Sequence, residues 1–84
     1  MSEIKVEIKK HFGTFATYGD GWTRELNLVS WNGGVAKYDV RDWRPDHTRM
    51  TKGITLTEQE FLNLSRLMVS VTDEILEEAE NERV

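Results

Sequence analysis

Cysteine is absent from the sequence. That excludes a disulfide framework and thiolate metal sites, and it fits a reducing compartment. Histidine occurs twice, at His11 and His47. Together with Asp46 the pair has no recognisable metal-ligand spacing, so neither a metal nor a cofactor is expected. No apolar run is long enough to span a bilayer, and Met1–Lys5 lacks the apolar region of a signal peptide. There is no phosphate loop and no nucleophile–base pattern. Asp39 and Asp42 point to opposite faces of one strand, so with Asp46 they do not converge as the carboxylates of a two-metal nuclease. These absences leave a soluble, cytoplasmic, non-enzymatic protein with no membrane partner and no small-molecule substrate. With 84 residues, positions 1–84 form one domain.

The charge is uneven. Residues 1–56 carry nine Lys and Arg against seven Asp and Glu, whereas residues 57–84 carry two against eight. The net charge of −4 therefore hides a basic excess in the first two thirds. Such asymmetry is a better guide to a partner than the total.

Ile4-Lys5-Val6-Glu7-Ile8-Lys9 alternates apolar and charged, the pattern of a half-buried strand with Ile4, Val6 and Ile8 inward. It can extend to Phe15, with Gly13 marking a bulge. Trp22–Trp31 predicts a second strand. Asn32-Gly33-Gly34 supplies the positive φ that a hairpin turn needs, so Lys37–Trp43 returns antiparallel as a third strand. The only proline, Pro45, breaks it, and Gly53–Leu56 is a short fourth strand. Thr57-Glu58-Gln59-Glu60 is a capping box, followed by a helix to about Glu80. Phe61, Leu64, Met68, Val71 and Ile75 form one apolar stripe, which Leu62, Leu67 and Leu76 widen. The expected fold is α+β: a four-stranded antiparallel sheet with one C-terminal helix covering one face and nothing covering the other. Open sheet edges and the wide stripe predict a homodimer.

The uncovered face carries Lys37, Asp39, Arg41 and Trp43, cations and a large ring. Trp31 joins them only if the hairpin register allows. Trp22 shares parity with Leu26 and Leu28, which favours packing.

Several blocks resemble a known family. Gly21-Trp22, Glu25-Leu26-Asn27, Val29-Ser30-Trp31-Asn32, Lys37-Tyr38-Asp39-Val40-Arg41, Pro45-Asp46-His47 and Lys52-Gly53-Ile54-Thr55-Leu56 resemble bacterial YdbC-type proteins. These are compact relatives of the eukaryotic transcriptional coactivator called positive cofactor four. The resemblance implies a curved four-stranded sheet plus helix, dimerising through the helix and binding single-stranded DNA on the open sheet face. It aligns Arg41 with a DNA-contacting arginine, Trp31 with a stacking aromatic and Lys52 with a basic residue of the DNA channel. The family's Tyr-Trp at the end of the third strand is Trp43-Arg44 here. The basic finger loop is reduced to Asn32-Gly33-Gly34-Val35.

Single strands are held by cations that follow phosphates and by rings on which bases stack. On that reading Trp31 and Trp43 are the platforms. Lys5, Lys9, Arg24, Lys37, Arg41, Arg44 and Lys52 are the phosphate contacts, and Asn27 and Asn32 bond base edges. Phe61, Leu64, Leu67, Met68, Val71 and Ile75 form the dimer interface. The expected activity is single-stranded DNA binding with low sequence preference, RNA being left open, in support of transcription, replication, recombination or repair. Each residue also has a plainer role: Arg41 pairs with Asp39 or Asp42, and Trp43 packs at a subunit contact. The competing function is a protein-interaction module whose tryptophans and acidic helix dock a protein.

Overall fold

A computed structural model describes residues 4–82. Its elements are β1 (Val6–Thr17), β2 (Thr23–Trp31), β3 (Lys37–Trp43), β4 (Ile54–Leu56) and α1 (Glu58–Glu82). The strands form one antiparallel sheet in the order β1-β2-β3-β4. This is the predicted four-strands-then-helix chain, with a longer first strand. Among the described residues, no helix is long and apolar enough to cross a membrane.

The β2–β3 hairpin turns as its sequence dictates. Asn32 and Gly33 both adopt positive φ, 52° and 75°, and the Gly34 N–H donates to the Trp31 carbonyl at 2.9 Å. That is the type I′ geometry that Asn-Gly favours. At the β3–β4 junction, a Cβ on Gly53 would lie 2.3 Å from the Val40 carbonyl oxygen and 2.4 Å from the Arg41 Cβ. Only glycine lets β4 begin so close to β3.

β1 departs from simple alternation. Its pairing with β2 slips between Ile8 and Lys10, between His11 and Gly13, and between Thr14 and Ala16. Each extra residue bends the strand and increases its twist. The predicted bulge near Gly13 is the middle one of three. The slips reset which side chains point inward. Ile8 and His11 face the same side as Val29 and Asn27, while Phe12 stacks on Tyr38 on the opposite side, with ring centroids 5.7 Å apart. Ile4, expected inward, is 70% exposed.

The capping box forms as predicted. The Glu60 N–H donates to the Thr57 hydroxyl at 3.2 Å, and the Thr57 N–H donates to the Glu60 carboxylate at 2.8 Å. These bonds hold the Glu60 carboxyl below its ordinary range. The helix does not then cover the sheet, which corrects the sequence expectation. Phe61, in its first turn, stacks on Tyr38 at 4.5 Å, and α1 touches only β3 and β4. A 25-residue helix is about 37 Å long, and none of this one's residues is buried. The molecule is accordingly elongated, 61 × 33 × 19 Å.

The core lies where the sequence predicted open surface. Val29 and Trp43 are its buried apolar residues, with Glu25, Asn27 and Asp39 beside them; the buried Ser30 has the opposite parity and donates to the Gly34 carbonyl. The bent β1 and the loop 44–49 close over this face of β2 and β3. That loop is drawn back by a bond from the Arg44 N–H to the Arg49 carbonyl at 2.9 Å and by a bridge between Trp43 and Met50.

Candidate nucleic-acid interface

The hairpin register fixes which side chains share a face. Glu25 lies opposite Arg41, Asn27 opposite Asp39 and Val29 opposite Lys37. Trp31 therefore belongs to the face of Arg41 and Trp43, and the Arg41 guanidinium sits over the Trp31 ring, 4.5 Å from its centroid.

Arg41 is engaged on every side. Its Nε and Nη2 donate to the two oxygens of Asp39, both at 2.6 Å, and Nη1 donates to the Thr51 carbonyl at 3.3 Å. The Thr55 hydroxyl adds a bond to Asp39 at 3.0 Å. Asp39 is fully buried, and the Arg41 side chain is 10% exposed. A bidentate fork of this kind is strong and rigid. It reproduces the plainer reading of Arg41, a pair with Asp39, and it holds the guanidinium over the Trp31 ring.

A second cluster lies on the same face. The Glu25 carboxylate accepts from the Thr23 hydroxyl at 2.6 Å, the Asn27 amide at 3.1 Å and the His47 Nε2–H at 2.9 Å. His11 donates through Nδ1 to Asn27 Oδ1 at 2.6 Å and lies 3.5 Å from Glu25. Burial pushes the Glu25 carboxyl up, but the bonds from Thr23, Asn27 and His47 outweigh it and hold the carboxyl below its ordinary range. Ile8, His11, Thr14, Glu25, Asn27 and His47 line a recess of about 390 Å³.

The predicted contacts separate into groups. Asn27 is fully buried and bonded at both ends of its amide, so it does not face a base. Trp43 is 3% exposed, with the His47 ring stacked on it at 5.5 Å, so it is not an open platform. Both follow from β1 and the loop closing over a face that alternation alone left uncovered. Asn32 serves the turn, its side chain accepting from the Lys5 backbone N–H at 2.8 Å. Lys9 pairs with Glu7 at 3.1 Å. Arg24 lies on the other face, forked to Asp42 at 2.7 and 3.2 Å and 5.7 Å from the Tyr18 ring centroid. Arg44 is half-exposed and only loosely paired with Asp46, at 3.8 Å. Lys5, Lys37 and Lys52 are exposed and make no ion pair among the described residues.

The structure adds residues that the sequence reading left out. His11, Glu25, Asp39, His47 and Thr55 organise the interior of the face. Their signal was positional: Glu25, Asn27, Asp39 and Arg41 share one parity across a hairpin whose turn was legible. On the opposite face Tyr18, Trp22, Arg24, Asp42 and Thr51 line one groove, which continues past Phe15, Val40, Lys52 and Ile54. Phe15 is 62% exposed there. Trp22, assigned to packing by its parity, is half-buried at this groove.

On α1, Leu64, Leu67, Met68, Val71 and Ile75 are 40–65% exposed and form one apolar strip, while Phe61 is half-buried on Tyr38.

Comparison with known proteins places this architecture. A protein of Treponema pallidum (strain Nichols), described only as uncharacterized, is 46% identical over 70 residues, which cover 83% of this chain and 82% of that one. The profile of the family described as Transcriptional Coactivator p15 (PC4) matches residues 19–67, a span from the β1–β2 turn through the first turns of the helix. The chain belongs to the Transcriptional Coactivator p15 (PC4) family.

Proposed function

We propose that this protein binds single-stranded DNA with low sequence preference, without enzymatic activity, as a homodimer, in support of bacterial transcription or of DNA replication, recombination or repair. Family membership supports the class. The observation that carries the reading is the Trp31–Arg41 pair on one sheet face, with the exposed Lys37 on that face and the exposed Lys5 and Lys52 on the neighbouring edge and groove. Lys5 is tied through its backbone to Asn32, next to Trp31. Lys52 precedes Gly53, which lies against Arg41. Lys37 begins β3 on the same face. Arg41 acts here as a positioning residue that holds the Trp31 ring, while the free lysines meet phosphates. Stacking of one base on such a ring contributes about 1–3 kcal/mol with little sequence discrimination.

The exposed strip on α1 supports the homodimer, since an apolar surface of this length on a small protein needs cover. A 9.8 kDa species alone in sedimentation at micromolar concentration would overturn that part. Fluorescence anisotropy of a labelled oligothymidine of about twenty nucleotides tests the binding. Affinity that falls with salt and resists a duplex competitor is expected, with a logarithmic slope of about −0.7 per phosphate contact. Lys52→Ala and Lys37→Ala each remove about one unit of contact from that slope. No binding at low salt would overturn the reading and leave protein docking in its place.

A further inference from the structure

The strand register leaves Arg41 far from the ring it covers. Its backbone lies opposite Glu25, and Trp31 stands six residues further along β2. At strand spacing that is about 20 Å. Yet the guanidinium carbon is 4.5 Å from the Trp31 ring centroid. The Arg41 side chain is therefore laid back along β3, toward Asp39 and the hairpin end of the sheet.

Asp39 is what aims it. Two residues nearer the hairpin and on the same face, Asp39 accepts from Arg41 at both carboxylate oxygens, each at 2.6 Å. It is fully buried, so the carboxylate cannot turn out to water. Oδ2 also accepts from the Thr55 hydroxyl at 3.0 Å, across the pairing of β3 with β4 in which Asp39 and Thr55 are partners. Gly53 lets β4 come this close, since a Cβ there would fall 3.0 Å from the Arg41 Nε. On the remaining side, Nη1 donates to the Thr51 carbonyl at 3.3 Å and lies 3.8 Å from the Met50 sulfur. Each guanidinium nitrogen thus has a partner within the protein, and the side chain is 10% exposed. Arg41 presents no free fork to a phosphate; its open consequence is the ring beneath it.

Trp31 is part-exposed at the end of β2, and among the described residues no aromatic ring stacks on it. The guanidinium closes one face of the indole and leaves the other for a base.

We infer that Asp39 and Thr55 are positioning residues for base stacking: through the Arg41 fork they hold the Trp31 ring with one face closed and one face open, so that a single base stacks there. Neither residue touches the nucleic acid. Their effect on binding rests on the single-strand reading above; their effect on the ring does not. Because Arg41 is already paired with Asp39, this relay adds to stacking and not to the count of phosphate contacts.

Fluorine nuclear magnetic resonance of the protein labelled with fluorotryptophan reads the ring directly, with Trp31→Phe assigning its signal. Thr55→Val keeps the shape of the side chain and loses the hydroxyl; Asp39→Asn loses the charge. In both, the Trp31 signal of the free protein is expected to shift, while that of Trp22, on the other face, stays in place. Oligothymidine anisotropy over a salt series then reads binding. Asp39→Asn is expected to weaken it about fivefold or more, the loss of one stacked base, and Thr55→Val about threefold. The slope of affinity against salt is expected to remain that of the wild type, since no phosphate contact is removed. Circular dichroism establishes that each variant is folded at the assay temperature, and if Asp39→Asn does not fold, Thr55→Val decides alone. A purely structural role predicts weaker folding with unchanged affinity in the folded variants, and that result overturns the relay. So does a Trp31 signal that stays in place, or a slope that falls by about 0.7, which would return Arg41 to a phosphate. A Trp31 signal that moves in a protein that binds no oligothymidine leaves the positioning of the ring standing and removes the single-strand reading instead.

Discussion

Two carboxylates are buried on the same face of the same hairpin, and they are neutralised differently. Asp39 on β3 is fully buried and clamped by the Arg41 fork at 2.6 Å. Glu25 on β2, directly opposite Arg41 in the register, is 3% exposed and is met instead by His47 from a loop and His11 from β1. A guanidinium stays charged at any pH the fold survives, so the first site is a permanent joint. It fastens β3 to β4 through Thr55 and seats the Trp31 ring. An imidazole carries no permanent charge, so the second joint is the conditional one, resting on hydrogen bonds from Thr23, Asn27 and His47, and what it fastens is a loop. The same physical problem, a carboxylate out of water, thus yields one joint held by a fixed charge and one held by hydrogen bonds on the same surface.

The largest effect is expected from breaking the permanent joint. Arg41→Ala leaves Asp39 buried without its cation, which typically costs about 3–5 kcal/mol. In a domain this small that is most of the stability, and urea denaturation should show a large drop in midpoint or no folded baseline at all. Gly53→Ala reaches the same joint by crowding, since its Cβ would meet the Val40 carbonyl at 2.3 Å and the Arg41 side chain at 2.4 Å. Relief requires β4 to move, at a cost of about 1–3 kcal/mol in the same measurement.

Much of this architecture is legible in the sequence, and the missing part has a definite cause. Alternation gives β2 and β3, Asn32-Gly33 gives their turn, and Thr57 with Glu60 gives the start of the helix. Burial is another matter. The strand Lys37–Trp43 has a face reading Lys, Asp, Arg, Trp, which by composition looks solvated. It is buried because Asp39 and Arg41, two residues apart, neutralise each other, and because Thr55 and the opposing strand complete their bonds. Cancellation of charge between neighbours on one face does not show in a period. The bends of β1 are equally hidden. Of its three slips only the one at Gly13 has a glycine to mark it, and the slips at Lys9 and Phe15 carry ordinary side chains. Without them β1 could not wrap over Asn27, and Asn27 would have stayed a candidate for base contact. For the helix, the stripe was readable, but the sheet face expected beneath it meets only its first turn.

Glu25→Gln sharpens the conditional joint. The Glu25 carboxyl lies below its ordinary value near 4.5, so it contributes stability that is complete above that value and is lost as pH falls through the depressed one. The Gln variant keeps the bond from Thr23 but not the charge that holds His47. It should lose about 1–2 kcal/mol at neutral pH, the worth of hydrogen bonds to a charged group. It should also show a flatter stability curve between about pH 5 and pH 3, measured by thermal unfolding across buffers. A curve parallel to that of the wild type would mean that Glu25 is not the titrating group of this joint.

The smallest effect belongs to the second fork, Arg24 to Asp42. Its geometry, 2.7 and 3.2 Å, is close to that of Arg41 on Asp39, and the interaction raises the affinity of Arg24 for its proton through the bond and charge of Asp42. Yet the Arg24 side chain is about half exposed, and neither partner is fully withdrawn from water. Water can replace the guanidinium at Asp42, as it cannot at Asp39, so Arg24→Ala should leave the denaturation midpoint essentially unchanged. Arg41→Ala and Arg24→Ala therefore remove the same side chain from the same kind of fork on two faces of one sheet. A large difference between them would assign the strength of the Asp39 joint to its burial. Equal losses would assign it to the fork itself, and the contrast between the permanent and the conditional carboxylate would then rest on hydrogen-bond number rather than on exclusion of water.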